Sequence, residues 1–219
     1  MYTTFIFDLD GTLLDTKIGI INAVKITINQ LNLEKLSEDI LEAFIGPPMH
    51  ESMEKYFHLD KKTAMEYANI FKSNYKRYSL YEAQLYDGIE NLLIRLKNRN
   101  YKLAVATSKT HENARLLLQK YDILKYFDFA IGTDLECKLS KTDLVQKCID
   151  FLQVVPKKCV LIGDSPADAK GAKNIGISFI GVTYGFGFKS EEEIKQYNPI
   201  FIANSPNEIL EFIKNKANT

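Results

Sequence analysis

At 219 residues, 46% of them hydrophobic, the chain has material for one full core domain with a smaller inserted unit, but not for two full domains. Its 28 basic and 28 acidic residues cancel to a formal net charge of +0, which removes the bulk electrostatic case for a nucleic-acid partner. Cys137, Cys148 and Cys159 are odd in number and form no C-x-x-C pair, and no apolar run is long enough to span a bilayer, so a cytoplasmic protein without disulfides, zinc or a membrane partner is expected.

The first apolar run, Tyr2–Leu9, reads as a buried strand ending in Asp8-Leu9-Asp10-Gly11. Apolar residues then recur at helical spacing over Thr16–Leu31 (Ile20, Ala23, Val24, Ile28). Helices follow at Glu38–Phe44 with Ser37 as N-cap, at Met49–Phe57 after the Gly46-Pro47-Pro48 break, and at Asp60–Ser79. From Tyr86-Asp87-Gly88 onward the pattern alternates. Helix Ile89–Asn98 precedes strand Lys102–Ala106, and helix Glu112–Tyr121 precedes a short strand near Phe129–Ile131. Helix Lys141–Phe151 precedes strand Cys159–Ile162, and helix Ala167–Asn174 precedes strand Ser178–Val182. Glu191–Gln196, Ile200–Ile202 and Glu208–Lys214 close the series. Strand–helix alternation of this kind implies an α/β fold with a parallel sheet covered on both faces. The all-helical stretch between the first strand and Tyr86 reads as an insertion joined by short linkers near Leu14–Lys17 and Ala83–Asp87.

Polar residues suited to phosphate chemistry stand at the ends of three strands and at one helix start. Asp8 and Asp10 follow the first strand, Thr107-Ser108 follows Leu103–Ala106, and Gly163-Asp164-Ser165-Pro166-Ala167-Asp168 follows Val160–Ile162. Lys141 opens the helix before the last of these. Ligands of open α/β sheets bind at the carboxyl ends of the strands. Two neighbouring carboxylates call for a cation, and a hard ion such as Mg²⁺ takes oxygen ligands. A phosphate monoester and a carboxylate nucleophile repel each other unless positive charge lies between them, which a metal and a lysine supply. Strand alternation would aim Asp8 and Asp10 at opposite faces, so Asp10 must lie in the turn that Gly11 permits.

In this set of motifs the chain resembles the haloacid dehalogenase superfamily, specifically its phosphatases with a helical cap, and most closely the phosphoglycolate-phosphatase-like members. The signature Asp-x-Asp-Gly-Thr-Leu stands as Asp8-Leu9-Asp10-Gly11-Thr12-Leu13. Thr107, Lys141 and Gly163-Asp164 with Asp168 match the later motifs. The resemblance implies a Rossmann-like parallel-sheet core in three α/β/α layers, formed by residues 1–15 and 85–219, with a helical cap at 16–84. It implies Asp8 as nucleophile and metal ligand, and Asp10 as general acid/base with its carbonyl on Mg²⁺. Asp164 would be a metal ligand, Asp168 its support, and Thr107 and Lys141 would bind the phosphoryl group. Gly11 and Ser108 would add backbone N–H contacts. Relatives often carry Lys-Pro after the third-motif loop, where this chain has Lys138-Leu139-Ser140-Lys141-Thr142. Lys138 therefore competes with Lys141, which is preferred because it starts the periodic helix.

The implied function is Mg²⁺-dependent hydrolysis of a small phosphorylated metabolite through an aspartyl-phosphate, with the enzyme a monomer or homodimer. The alternatives are a 5'-nucleotidase or pyrophosphatase of the same family, a β-phosphoglucomutase-like phosphotransferase, and a non-catalytic phosphate-binding regulator. Taken singly, several residues have plainer readings. Thr107 reads as a helix N-cap, Asp168 as a first-turn acid favoured by the helix dipole, and Lys109 as a solvated lysine. His50, His58 and His111 lack mutual metal spacing. Tyr67, Phe71, Tyr75 and Tyr78 read as a core stripe of the cap, and Tyr184-Gly185-Phe186-Gly187 as a loop near the site.

Overall fold

The computed structural model describes residues 1–134 and 138–217; Cys137 lies outside the described residues. The chain divides into two compact units, one of Met1–Asp15 with Leu85–Thr219 and one of Thr16–Gln84. In chain order the strands are β1 (Thr4–Phe7), β2 (Leu14–Asp15), β3 (Gln84–Leu85), β4 (Lys102–Thr110), β5 (Phe129–Thr133), β6 (Cys159–Gly163), β7 (Ser178–Val182) and β8 (Phe201–Ala203). The helices are α1 (Lys17–Gln30), α2 (Glu38–Glu42), α3 (Met49–Phe57), α4 (Lys61–Asn74), α5 (Ile89–Lys97), α6 (His111–Lys120), α7 (Lys141–Leu152), α8 (Pro166–Ile175), α9 (Glu191–Lys195) and α10 (Pro206–Ala217). Among them none is long and apolar enough to cross a membrane.

The first unit is built on a six-stranded parallel sheet in the order β5-β4-β1-β6-β7-β8, flanked by helices in a Rossmann-like α/β arrangement. Central strands buried on both faces read as unbroken apolar runs, and Phe5-Ile6-Phe7, Leu103–Ala106 and Val160–Ile162 are all buried. Ile6 pairs in register with Ala104 on one side and Leu161 on the other. These three share a core with Leu144, Val145 and Cys148 of α7 and Ala169 and Ala172 of α8. Alternation sends Phe5 and Phe7 to the opposite face, where their rings meet Tyr101 and Phe127 edge-on. Each fully buried aliphatic side chain here contributes about 1.5–3 kcal/mol of burial.

The order of the strands decides where a ligand can bind. From β1 the chain builds outward through β4 and β5, then crosses back to the other side of β1 for β6, β7 and β8. β1 is therefore the strand at which the winding reverses, and a crevice opens beyond the carboxyl ends at such a point. Helix starts next to that edge are defined by local chemistry. Ser140 and Ser165 each form a capping box, with Asp143 and Asp168 respectively, at the starts of α7 and α8.

The second unit packs α1–α4 around Val24, Ile28, Leu41, Phe44, Met53 and Ala64. Asp60 caps α4 by accepting from the Lys62 and Thr63 amides, whereas Ser37 precedes α2 without a side-chain cap bond. The helix expected over Asp60–Ser79 passes at Tyr75–Ser79 into a π-helical turn. The buried Asn74 side chain marks the transition by donating to Thr27 Oγ1 at 3.1 Å and Gln30 Oε1 at 2.9 Å. The wider turn shifts later residues around the axis. Tyr67 and Phe71 accordingly pack on the core and Tyr75 is buried, but Tyr78 leaves the stripe and is 54% exposed. β2 and β3, of two residues each, form a ribbon too short to show a pattern in sequence.

Candidate active site

The β1–β6 ladder runs one residue past β1, because the Asp8 amide donates to the Ile162 carbonyl at 2.9 Å. That bond sets Asp8 at the carboxyl edge of the central strand, with 7% of the residue exposed. Its Oδ1 lies 2.8 Å from Lys141 Nζ. The same ammonium lies 2.8 Å from Asp168 Oδ1 and donates to the Ala106 carbonyl at 3.0 Å. Lys141 is the first residue of α7, where the helix dipole disfavours a cation. Burial also works against its charge, yet Asp168 and Asp8 together hold its pKa above the ordinary lysine value. Burial likewise raises the Asp8 carboxyl to about 7; Lys141 opposes that rise, and Asp168 and Asp10 add to it.

Asp164 follows β6 and is 2% exposed. Its Oδ2 accepts from the Phe186 amide at 3.0 Å and the Gly187 amide at 2.8 Å, which leaves Oδ1 for a further ligand. Burial, then the Asp168 and Asp8 charges, push its carboxyl up to about 8 despite those two amides. Asp168 is fully buried; its Oδ2 accepts from the Ser165 amide and hydroxyl, and its Oδ1 faces Lys141. The first-turn acid is thus a cap and an ion-pair partner at once.

Asp10 lies in the turn, where the Gly11 amide bonds the Leu14 carbonyl at 2.8 Å and Gly11 takes a left-handed φ of +77°. Its Oδ1 is 3.1 Å from Lys109 Nζ. The Lys109 side chain is 8% exposed, so the solvated lysine expected there is corrected: β4 runs on to Thr110 and carries Lys109 to the edge of the sheet instead of into solvent. Thr107 is buried within β4, not at a helix start, and its Oγ1 accepts from the Lys109 amide at 3.2 Å. Ser108 is exposed. Lys138, the competing lysine, is exposed and its amide binds Asp134 Oδ1, while Lys141 stands among the carboxylates.

Asp8, Asp164 and Asp168 offer carboxylate oxygens that all lie within 4.8 Å of one another. Four carboxylates, with Asp10, face two lysines. Burial is the main cause of the raised Asp8 and Asp164 values, the neighbouring carboxylates add to it, and a hard divalent cation would relieve both. Both Asp168 oxygens are engaged, so Asp8 and Asp164 are the carboxylates best placed to bind it.

Residues 5–182, which span Asp8, Asp10, Thr107, Lys109, Lys141, Asp164 and Asp168, match the family model described as haloacid dehalogenase-like hydrolase. The chain belongs to the haloacid dehalogenase-like hydrolase family. It is 34% identical to a 5'-nucleotidase of Pseudomonas aeruginosa over 90% of this chain and 89% of that one. It is 30% identical to a phosphoglycolate phosphatase of Aquifex aeolicus over 96% of both. A crystal structure of a predicted phosphatase from Clostridium acetobutylicum superposes with a TM-score of 0.90 at 35% identity, covering 98% of this chain and 99% of that one. The protein is accordingly an enzyme, a phosphatase of the haloacid dehalogenase-like hydrolases.

Three contributors to this site escaped the sequence reading in their roles: Lys109 and the amides of Phe186 and Gly187. A lysine three residues past the apolar run Leu103–Ala106, in the stretch Thr107-Ser108-Lys109-Thr110, was the available signal for the first. The alternating glycines of Tyr184-Gly185-Phe186-Gly187 were the signal for close backbone approach, although nothing local says what they approach. Tyr184 fixes that loop by donating its hydroxyl to the Thr12 carbonyl at 3.1 Å and packing its ring edge-on to Tyr86.

Proposed function

We propose that this phosphatase is a Mg²⁺-dependent phosphomonoesterase that works through a phosphorylated Asp8 on small metabolite esters. The observation that carries the reading is the buried Asp8 carboxylate, held against Lys141 at the strand end where the sheet winding reverses. One Asp8 oxygen attacks phosphorus, and the bond from phosphorus to the ester oxygen breaks. Asp10 gives its proton to the departing alcohol and then takes one from water, as that water attacks phosphorus and frees Asp8 with release of phosphate. Lys141 and Thr107 hold the phosphoryl oxygens, and Asp168 keeps Lys141 in place. Mg²⁺, bound by Asp8, Asp164 and the Asp10 carbonyl, would neutralise the charge of the two reacting anions. The helical unit 16–84 is proposed as the cap that selects the leaving group, because it is a separate compact body inserted directly after the Asp8–Asp15 stretch. The resemblance favours phosphoglycolate-like substrates, and the two named relatives make phosphoglycolate and nucleoside monophosphates the first esters to try.

The test is phosphate release over a panel of phosphoglycolate, nucleoside monophosphates, pyrophosphate and sugar phosphates. Turnover that EDTA stops and Mg²⁺ restores is expected, as is its abolition in a folded Asp8→Asn variant. Turnover retained by that variant, or indifferent to EDTA, would refute the assignment.

A further inference from the structure

The β4–β5 ladder contains an irregularity that bears on Asp10. Thr107 pairs with Gly132 and the next pair is Thr110 with Thr133, so Ser108 and Lys109 bulge from the strand. Bulges bend a strand and re-aim its side chains, and they concentrate beside active sites. Here Thr107 Oγ1 accepts from the Lys109 amide and steadies the bulge from inside. Gly132 accommodates it from the neighbouring strand, since a Cβ there would lie 2.3 Å from the Lys109 carbonyl oxygen. The outcome is a lysine with an 8% exposed side chain whose ammonium sits 3.1 Å from Asp10 Oδ1. A long, charged side chain is costly to confine in this way unless the pairing compensates.

We propose that Lys109 is a positioning residue for the reaction: by binding Oδ1 it fixes the Asp10 carboxyl so that Oδ2 carries the proton to and from the reacting oxygens. The assignment rests on the reading of Asp10 as general acid/base. It differs from phosphate binding, which would act on every ester alike.

The test measures kcat/KM, which covers the steps through ester cleavage, for an alkyl phosphate and for p-nitrophenyl phosphate. The nitrophenolate leaves without a proton; the alkoxide does not. Lys109→Met is expected to lower kcat/KM for the alkyl ester by about 10- to 100-fold, as a misplaced proton donor would, and to leave p-nitrophenyl phosphate nearly unchanged. Lys109→Arg should recover part of the alkyl activity. Because Lys109 acts through Asp10, adding Lys109→Met to Asp10→Asn should cost nothing further. Equal losses on both esters, or a further loss in the double variant, would overturn the proposal. Should Lys109→Met not fold, Gly132→Ala takes its place, because it displaces the bulge and keeps the charge; the same selective loss on the alkyl ester is expected, and an equal loss on both esters overturns the proposal. If Asp10→Asn by itself retains alkyl-ester turnover, the acid/base reading fails, which is a separate result from a failure of Lys109 alone.

Discussion

Gly11→Ala should cost activity far beyond its cost in stability, and Gly176→Ala supplies the control. Both glycines sit at nearly the same left-handed angle, φ +77° and +76°. At Gly176, the C-cap of α8, an added Cβ meets nothing within 4 Å. At Gly11 it would lie 2.1 Å from Asp164 Oδ2, whereas real Cβ contacts stay beyond 3.0 Å, so the carboxylate must withdraw by nearly 1 Å. That oxygen is held by the Phe186 and Gly187 amides and has no slack. The left-handed backbone costs alanine about 1–2 kcal/mol in either variant, a drop in melting temperature of about 2–8 °C for a chain of this size. A displacement of about 1 Å at Asp164, the carboxylate proposed to hold Mg²⁺, corresponds to about 100-fold in rate. Calorimetric melting and phosphate release in the presence of Mg²⁺, run on both variants, separate the two effects. Gly176→Ala should keep its activity and Gly11→Ala should lose about two orders of magnitude. Equal activities in the two variants would refute the argument from the Asp164 contact.

Two further outcomes follow from the buried charges and thiols. Lys141→Met leaves Asp8 and Asp168 buried without their shared cation, so at pH 8 in EDTA it should destabilise the fold by about 3–5 kcal/mol. Without Lys141 the Asp8 carboxyl rises beyond its present value of about 7. A carboxyl raised in the folded state favours folding while protonated and loses that contribution as pH climbs through its folded pKa, so the deficit should shrink from pH 8 to pH 5. A urea-melt deficit that grows with falling pH would contradict this. Cys148 is buried and its thiol is pushed up to about 12, mainly by desolvation, and Cys159 is also buried. In a Cys137→Ser background neither should react with a disulfide reagent at pH 8 until urea unfolds the chain; rapid native labelling would place them wrongly.

Within the described residues, the strands and helices were legible because burial leaves a periodic mark. Continuous apolar runs marked β1, β4 and β6, and the boundaries of α3 and β7 stood in the sequence to the residue. Local chemistry was legible in part: the glycine after Asp10 announced a turn, whereas the capping boxes of Ser140 and Ser165 emerged only in the structure and the expected Ser37 cap makes no side-chain bond. The π-helical turn at Tyr75–Ser79 was not legible, because it keeps helical composition and changes only the angular step, so Tyr78 was placed in a core it does not join. β2 and β3 were too short to carry any period.

The sequence by itself determined which carboxylates, hydroxyls and lysines stand at strand and helix ends, since those positions depend on neighbours a few residues away. Tertiary structure decided what each of them meets. The choice of Lys141 over Lys138 for the carboxylate cluster depends on α7 and α8 sharing Lys141 with Asp168 beneath β1 and β4. The pinning of Asp164 depends on a loop more than twenty positions along the chain, and the capture of Lys109 by Asp10 on a bulge that Gly132 of a neighbouring strand allows. Contacts between segments distant in sequence have no local period, so a chain read alone can name the groups and cannot say which of them will share a charge.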